Sequence, residues 1–318
     1  MALQLHHRAS PAVVVTLLAA LAALPAITHA IDEPFYLVLA SRILLYALAA
    51  TSLNLLVGFG GMVSFGHAAF FGTGAYVVAI AASHGLDSAW TAWPLAMGVA
   101  AFAALVIGAI SLRTRGVYFI MITLAFAQMM FYVFVSLKAY GGEDGLPLPH
   151  RSVAGAGLDL KSDTTFYYVT LALVAAASGL LWRLVNSRFG RALQGIRENE
   201  TRMEAVGFPV YRIKLAAFVI AGAIAGLAGA LAANQSDMAG PAMLHWNQSG
   251  TLLVMVILGG TGRFLGPALG AAVLLLLEEF VSAYTMHWQF YVGAVLLAVV
   301  MFLPGGLASM LGGRRRDG

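Results

Sequence analysis

Apolar stretches close to twenty residues long recur from one end of this 318-residue chain to the other, and they constrain the fold more than any other feature. A stretch of that length crosses a hydrocarbon core about 30 Å thick at about 1.5 Å per helical residue. The stretches lie near 11–30, 35–57, 62–82, 90–112, 116–137, 165–186, 214–235, 249–260, 266–284 and 288–304. Charged residues make up 10% of the chain, against about a quarter in a soluble domain, too few for a water-facing surface of this size. Glycine, with 35 copies, suits membrane helices whose backbones approach closely. The reading is all-α: a polytopic transmembrane helical bundle of about ten spans, some short or broken by glycine. One domain covers 1–318, with hydrophilic excursions at 138–164 and 187–213.

Basic residues set the orientation, because Lys and Arg collect on the cytoplasmic side. Arg113 and Arg115, the run Arg183, Arg188, Arg191, Arg197, Arg202, Arg212 and Lys214, and the tail Arg314, Arg315 and Arg316 fall on one side. With ten crossings expected, both termini are cytoplasmic, Arg8 and Arg263 join that side, and 187–213 becomes a cytoplasmic segment. Lys138, Arg151 and Lys161 remain outside, with Asp32, Glu33, Asp87, Glu143, Asp144, Asp159, Asp163 and Asp237. The 138–164 excursion is then periplasmic. Residues 1–30 also read as a signal peptide, since His6, His7 and Arg8 precede an apolar run ending Thr28-His29-Ala30. Topology after residue 31 is the same on either reading. The net charge of +4 reflects topology, because no separable basic domain exists to bind nucleic acid.

Several chemistries lack their residues. No cysteine is available for a disulfide, thiolate nucleophile or metal site. A P-loop needs Gly-Lys-[Ser/Thr], and Lys138, Lys161 and Lys214 all follow other residues. No two histidines stand four apart, and no serine has a glycine two positions before it, so neither the H-E-x-x-H nor the G-x-S arrangement is present. No metal site, cofactor or catalytic residue is expected in this chain.

Four segments carry functional signal. Residues 187–213 read as a short helix, a turn at Gly207-Phe208-Pro209 and re-entry. Leu193, Ile196, Met203 and Val206 form an apolar stripe suited to a groove on another protein; the segment reads equally as a solvated loop. The second segment, Asn54 to Tyr76, gathers Gly58, Gly60, Gly61, Gly66, Gly72 and Gly74 with Asn54, Ser64, His67 and Thr73. Unwound backbone there can line a solute path, or the glycines can serve close packing with His67 a satisfied packing residue. In the third, Gln128 is either a pathway group or an interhelical hydrogen-bonding amide. The fourth holds Leu258-Gly259-Gly260-Thr261-Gly262 after an apolar run too short to cross comfortably. Gly60/Gly66 and Gly260/Gly266 share one spacing 200 positions apart, as duplicated transporter modules can and as a glycine-rich chain can by chance. Glu278 and Glu279 read as interfacial.

These segments, in this order, resemble branched-chain amino acid ABC permeases of the LivM-type subunit. The resemblance rests on Arg197-Glu198-Asn199-Glu200 with Ala205 and Gly207, on Lys214 to Phe218 and Ala225 to Gly229, on the Asn54–Tyr76 string, on Gly141-Gly142-x-x-Gly145-Leu146, and on the Leu303-Pro304-Gly305-Gly306-Leu307 ending. It spans about 36–307. It implies that Gly190, Arg191, Arg197, Glu198, Asn199, Glu200 and Gly207 form the element that docks on an ATP-binding subunit. Asn54, Gly60, Ser64, Gly66, His67, Thr73, Gln128 and Gly260 are the candidate pathway residues. The chain departs from the family at Thr201-Arg202-Met203, where a small residue is common, and lacks a Glu near Gln128 and an Arg near Phe131 that some members carry. The resemblance further implies a second related permease, two cytoplasmic ATP-binding subunits that hold ATP and Mg, a periplasmic solute-binding protein and surrounding lipid. Branched-chain amino acids lead the expected solutes, with urea, short amides and aromatic acids beside them. A self-sufficient secondary transporter or channel is the rival, disfavoured by few ionisable groups in the spans (Arg42, His67, Glu278, Glu279).

Overall fold

A computed structural model of the chain describes residues 11–155, 159–303 and 305–311. The expected Arg8 and the Arg314–Arg316 tail lie outside the described residues. The helices run α1 Pro11–Ile31, α2 Phe35–Asn54, α3 His67–Ser83, α4 Ala89–Ser111, α5 Val117–Ser136, α6 Asp163–Asn186, α7 Arg188–Glu198, α8 Glu200–Ala205, α9 Val210–Ser236, α10 Trp246–Gly259, α11 Gly266–Ser282, α12 Trp288–Phe302 and α13 Ala308–Leu311. The fold is a polytopic helical bundle. Five segments are long and apolar enough to span a membrane: Phe35–Phe59, Ala89–Ser111, Val117–Ser136, Asp163–Asn186 and Val210–Ser236.

Four apolar helices, α3, α10, α11 and α12, fall short. At 14 residues α10 reaches about 21 Å, and at 17 residues α3 reaches about 26 Å. These two each adjoin a glycine-rich loop that supplies the missing length, 60–66 before α3 and 260–265 after α10. The third apolar stretch is expected from 62; the helix starts at His67, and the preceding residues stay unwound after Gly61 (φ 67°), with Phe65 N and Gly66 N bonded to side-chain hydroxyls. A π-helical turn, Leu55–Phe59, ends α2.

The core is built around α9, whose buried face is mostly Ala and Gly. A β-carbon on Gly226 would collide with Ala100 of α4, and one on Gly229 would strike the Phe71 carbonyl of α3. Backbone contact at this distance gives the dispersion energy that holds membrane helices together where the hydrophobic effect cannot. Phe218 on α9 packs edge-on against Phe70 of α3, with ring centroids 5.5 Å apart.

The described residues of the 138–164 excursion form a cap over one end of the bundle. Two-residue strands β1 Leu146–Pro147 and β2 Met238–Ala239 pair antiparallel. Val153 joins the cap to the start of α4: Ala89 N donates to its carbonyl, and its own N–H donates to Asp87 O. Ser152 N donates to Asn234 Oδ1 at 2.7 Å. Arg151 binds Asp163 at 2.7 Å. Because α4 and α9 both run from one end to the other, this acidic cap and the basic 187–214 segment stand at opposite ends.

Candidate functional site

The basic 187–214 segment is built as two helices meeting at a corner. Ser187 caps α7 by accepting from Gly190 N at 3.4 Å, and a β-carbon at Gly190 would collide with the Val185 carbonyl, so only glycine permits the tight turn from α6. Asn199 is extended (φ −156°, ψ 98°) and caps α8, its Oδ1 accepting from Arg202 N at 2.8 Å. Gly207, at φ 92°, closes α8: its N–H donates to Glu204 O and the Phe208 N–H to Met203 O, the paired bonds of a Schellman end.

This geometry corrects the expected apolar stripe. Leu193 and Ile196 are 0% and 2% exposed and face the chain's own bundle, while Val206 is 69% exposed. Met203 turns back on Gly195, where a β-carbon would stand 3.0 Å from Sδ. The extended Asn199 divides the stripe into two faces. Glu200 is held internally as well, with Lys214 Nζ at 2.6 Å and Arg115 Nη2 at 3.5 Å. Arg191 reaches back to the Asn186 carbonyl at 3.4 Å. Glu198, Thr201, Arg202, Val206 and Phe208 are left facing outward. A cavity of ≈ 170 Å³ lies beneath, lined by Met62, Leu112, Arg115, Phe119, Glu200 and Lys214 among others.

The two glycine loops meet under α7. Asn54, fully buried at the end of α2, accepts from Gly262 N at 3.1 Å and donates to Arg263 O at 3.0 Å. Arg197 donates to the Gly58 carbonyl. Gly60 lies under α7, a β-carbon there standing 3.4 Å from Leu193 Cδ1. Gly260 (φ 112°) packs against the Gly305-Gly306 ending, and Leu307 N donates to Leu258 O at 2.9 Å.

Further into the bundle, hydroxyl groups satisfy the unwound start of α3. Phe65 N donates to Thr123 Oγ1 at 3.2 Å, Gly66 N to Ser64 Oγ at 3.1 Å, and Ala68 N to Ser249 Oγ at 2.8 Å. His67 is fully buried, with Nε2 2.8 Å from Ser52 Oγ and no partner for Nδ1. Thr73 spends its hydroxyl on Ala69 O, 2.6 Å away in its own helix. On the α5–α10 seam, Phe131 and His245 pack edge to face with centroids 5.2 Å apart. One turn inward from this pair, Gln128 Oε1 and Gln248 Nε2 are both buried and unpartnered.

The candidate pathway residues therefore fall into separate places. Asn54, Gly60 and Gly260 gather at the loop junction, Ser64, Gly66 and His67 at the start of α3, and Gln128 on the α5–α10 seam. Sequence reasoning missed Ser52, His245, Gln248, Ser249 and the pairing of Arg115 and Lys214 with Glu200. The polar run Asn247-Gln248-Ser249-Gly250-Thr251, opening a short apolar helix, was the available signal for α10.

Residues 35–304 match the family described as the branched-chain amino acid transport system permease component. The high-affinity branched-chain amino acid transport system permease protein LivM of Salmonella typhimurium is 29% identical over 295 residues, covering 86% of this chain and 69% of that protein, and LivM of Escherichia coli K12 gives the same figures. The autoinducer 2 import system permease protein LsrC of Klebsiella pneumoniae is 28% identical over 162 residues, 47% of this chain and 44% of its own. No solved structure matches the chain. With the match running through every helix from α2 to α12, the chain is a multi-pass membrane protein and belongs to the permease-component family of branched-chain amino acid transport systems.

Proposed function

We propose that this chain is the membrane-spanning permease subunit of an ATP-binding-cassette importer. It would sit in the bacterial inner membrane with both termini and the α7–α8 corner in the cytoplasm. A second related permease, two ATP-binding subunits and a periplasmic solute-binding protein complete the assembly. ATP and Mg belong to the ATP-binding subunits, and this chain supplies the passage and the mechanical link. The solute is a branched-chain amino acid or a related small polar molecule.

One observation carries the reading: the family match coincides with an exposed corner, Glu198 to Phe208, that is anchored to the bundle on its inner side. A solvated topology loop does not require a capped break at Asn199, a Schellman end at Gly207 and an ion-paired Glu200. An element that must transmit force does, because its outer face has to be pushed without unravelling. ATP binding draws the ATP-binding subunits together, the corner moves with them, and the bundle exchanges one packed arrangement for another.

The test is recovery of the tagged chain from its native membrane in mild detergent, with mass spectrometry of what accompanies it. A second permease and two ATP-binding subunits are expected, and a co-recovered binding protein can be screened against leucine, urea and phenylalanine. A chain that comes alone and still carries solute in vesicles without ATP would replace this reading with a secondary transporter.

A further inference from the structure

The resemblance placed Arg197 among the residues that meet an ATP-binding subunit. Its surroundings give it different work. Arg197 is exposed as a residue, but from the last turn of α7 its guanidinium donates to the carbonyl of Gly58, in the π-helical turn that ends α2. The same Nη1 lies over Gly262, in the loop joining α10 to α11, where a β-carbon would stand 3.2 Å from it. The stem crosses Gly61, whose β-carbon position is 2.9 Å from Arg197 Cγ. Asn54 clasps Gly262 N and Arg263 O from the opposite side. Arg263 in turn donates to the Ala308 carbonyl of α13.

One side chain thus touches both loops that interrupt short helices. Both loops carry glycine where the guanidinium and its stem lie, and any larger residue would displace them. A delocalised planar cation with several donors suits a site made of backbone carbonyls. Helix α7 reaches these loops by packing Leu193 beside Gly60, but a directional bond to the turn that leads into the first of them comes from Arg197.

We infer that Arg197 is a positioning residue that ties the α7–α8 corner to both glycine loops, so that displacement of the corner moves the ends of α2, α10 and α11 together. This rests on the importer reading. Docking is the work of the outward face; Arg197 passes the movement inward.

The experiment uses the whole importer, with its ATP-binding subunits and binding protein, reconstituted in vesicles. Uptake of whichever of radiolabelled leucine, urea or phenylalanine the wild-type complex carries is measured beside ATP hydrolysis and subunit recovery. Arg197→Ala is expected to retain its ATP-binding subunits and their hydrolysis while uptake falls about tenfold, within the ordinary range of coupling between sites. Because that variant also removes packing, a covalent substitute is tested. The chain has no native cysteine, and the β-carbon position of Gly61 is 3.5 Å from Arg197 Cβ, at the near edge of disulfide geometry. In Gly61→Cys/Arg197→Cys, oxidation is expected to raise uptake severalfold above that of the same variant when reduced, and reduction to lose it again. A merely structural role predicts no such redox-dependent recovery. Unchanged uptake in Arg197→Ala, or an oxidised double variant as inactive as Arg197→Ala, would overturn the inference. Loss of the ATP-binding subunits from Arg197→Ala would also overturn it, making Arg197 a docking residue and leaving the importer reading intact. A wild-type chain that never recovers ATP-binding subunits would instead remove the importer reading itself.

Discussion

Asn54 offers the sharpest test of the loop junction, because one buried amide serves two backbone groups more than 200 residues away in sequence. In Asn54→Ala, Gly262 N loses its acceptor at 3.1 Å and Arg263 O its donor at 3.0 Å. Asn54 is 0% exposed, so water does not readily replace the lost partner. A buried group left unsatisfied costs about 1–3 kcal/mol. The two groups together cost about 2–4 kcal/mol, allowing for partial relaxation by the glycines around them. At the lower bound, local opening of the loop becomes about 30-fold more frequent. Hydrogen exchange followed by mass spectrometry on the purified permease reads this directly: the peptide covering 258–265 should exchange faster by that factor, while peptides from the α4–α9 interface keep their rates. Asn54→Asp retains the acceptor for Gly262 N, so the Gly262 amide should stay more protected than in Asn54→Ala. Equal protection of 258–265 in wild type and Asn54→Ala would refute the clamp and leave the loop held by glycine packing alone.

Three further outcomes follow from the same geometry. Gly226→Leu drives a side chain into Ala100, whose Cβ would stand only 2.4 Å from a β-carbon at this site; folded yield in size-exclusion chromatography should collapse, by an overpacking cost of at least about 1–3 kcal/mol. Glu200→Arg places a third cation beside Arg115 and Lys214, so ATP-driven uptake should be abolished while membrane insertion, read by fractionation and blotting, persists; normal uptake would remove Glu200 from the coupling element. Gln248→Leu removes a buried amide nitrogen with no partner, so thermal stability should rise, by about 1–3 kcal/mol if the donor is fully desolvated. Uptake should fall in the same variant if the seam carries solute, and unchanged uptake with raised stability would make Gln248 a buried defect outside the path.

The helices were legible because they rest on local information. Runs of Ala, Leu and Val at membrane length specify helix and burial together, and even the shortness of α10 shows in the apolar run 249–260. The Asn199 break and the Gly207 end also use residues with a local preference, although the expected single helix did not separate α7 from α8. What could not be read was partner choice. Leu193 and Ile196 lie on an amphipathic helix, and that pattern says the face is covered without saying by what. Asn54 carries no local mark that sends its amide to Gly262. Thr73 looks like any pathway hydroxyl until its bond to Ala69 O is seen. Gln128 and Gln248 each look like an ordinary polar residue in an apolar helix until the structure shows a buried amide atom without a partner.

That division between local and distant information bears on how the corner works. Since α7 gives its apolar face to its own bundle, the partner proposed above would meet a surface that includes Glu198, Thr201, Arg202, Glu204, Val206 and Phe208. A surface with charges of both signs and two exposed apolar side chains favours orientation and partner choice over large buried area. Glu200 and Lys214 sit behind it as a partly buried pair, with the exposed Arg115 at its edge, so that losing either member of the pair leaves the other uncompensated. A corner with a modest outer face and a firmly bonded inner face can be engaged by a partner without being pulled from the bundle. Its displacement then goes to whatever Leu193, Glu200 and Arg197 touch. Those contacts lead to the loop junction at the end of α2, to the α4–α5 turn and to the start of α9, which are the places where a bundle held elsewhere by interlocked Ala and Gly surfaces has loops able to absorb a change of angle.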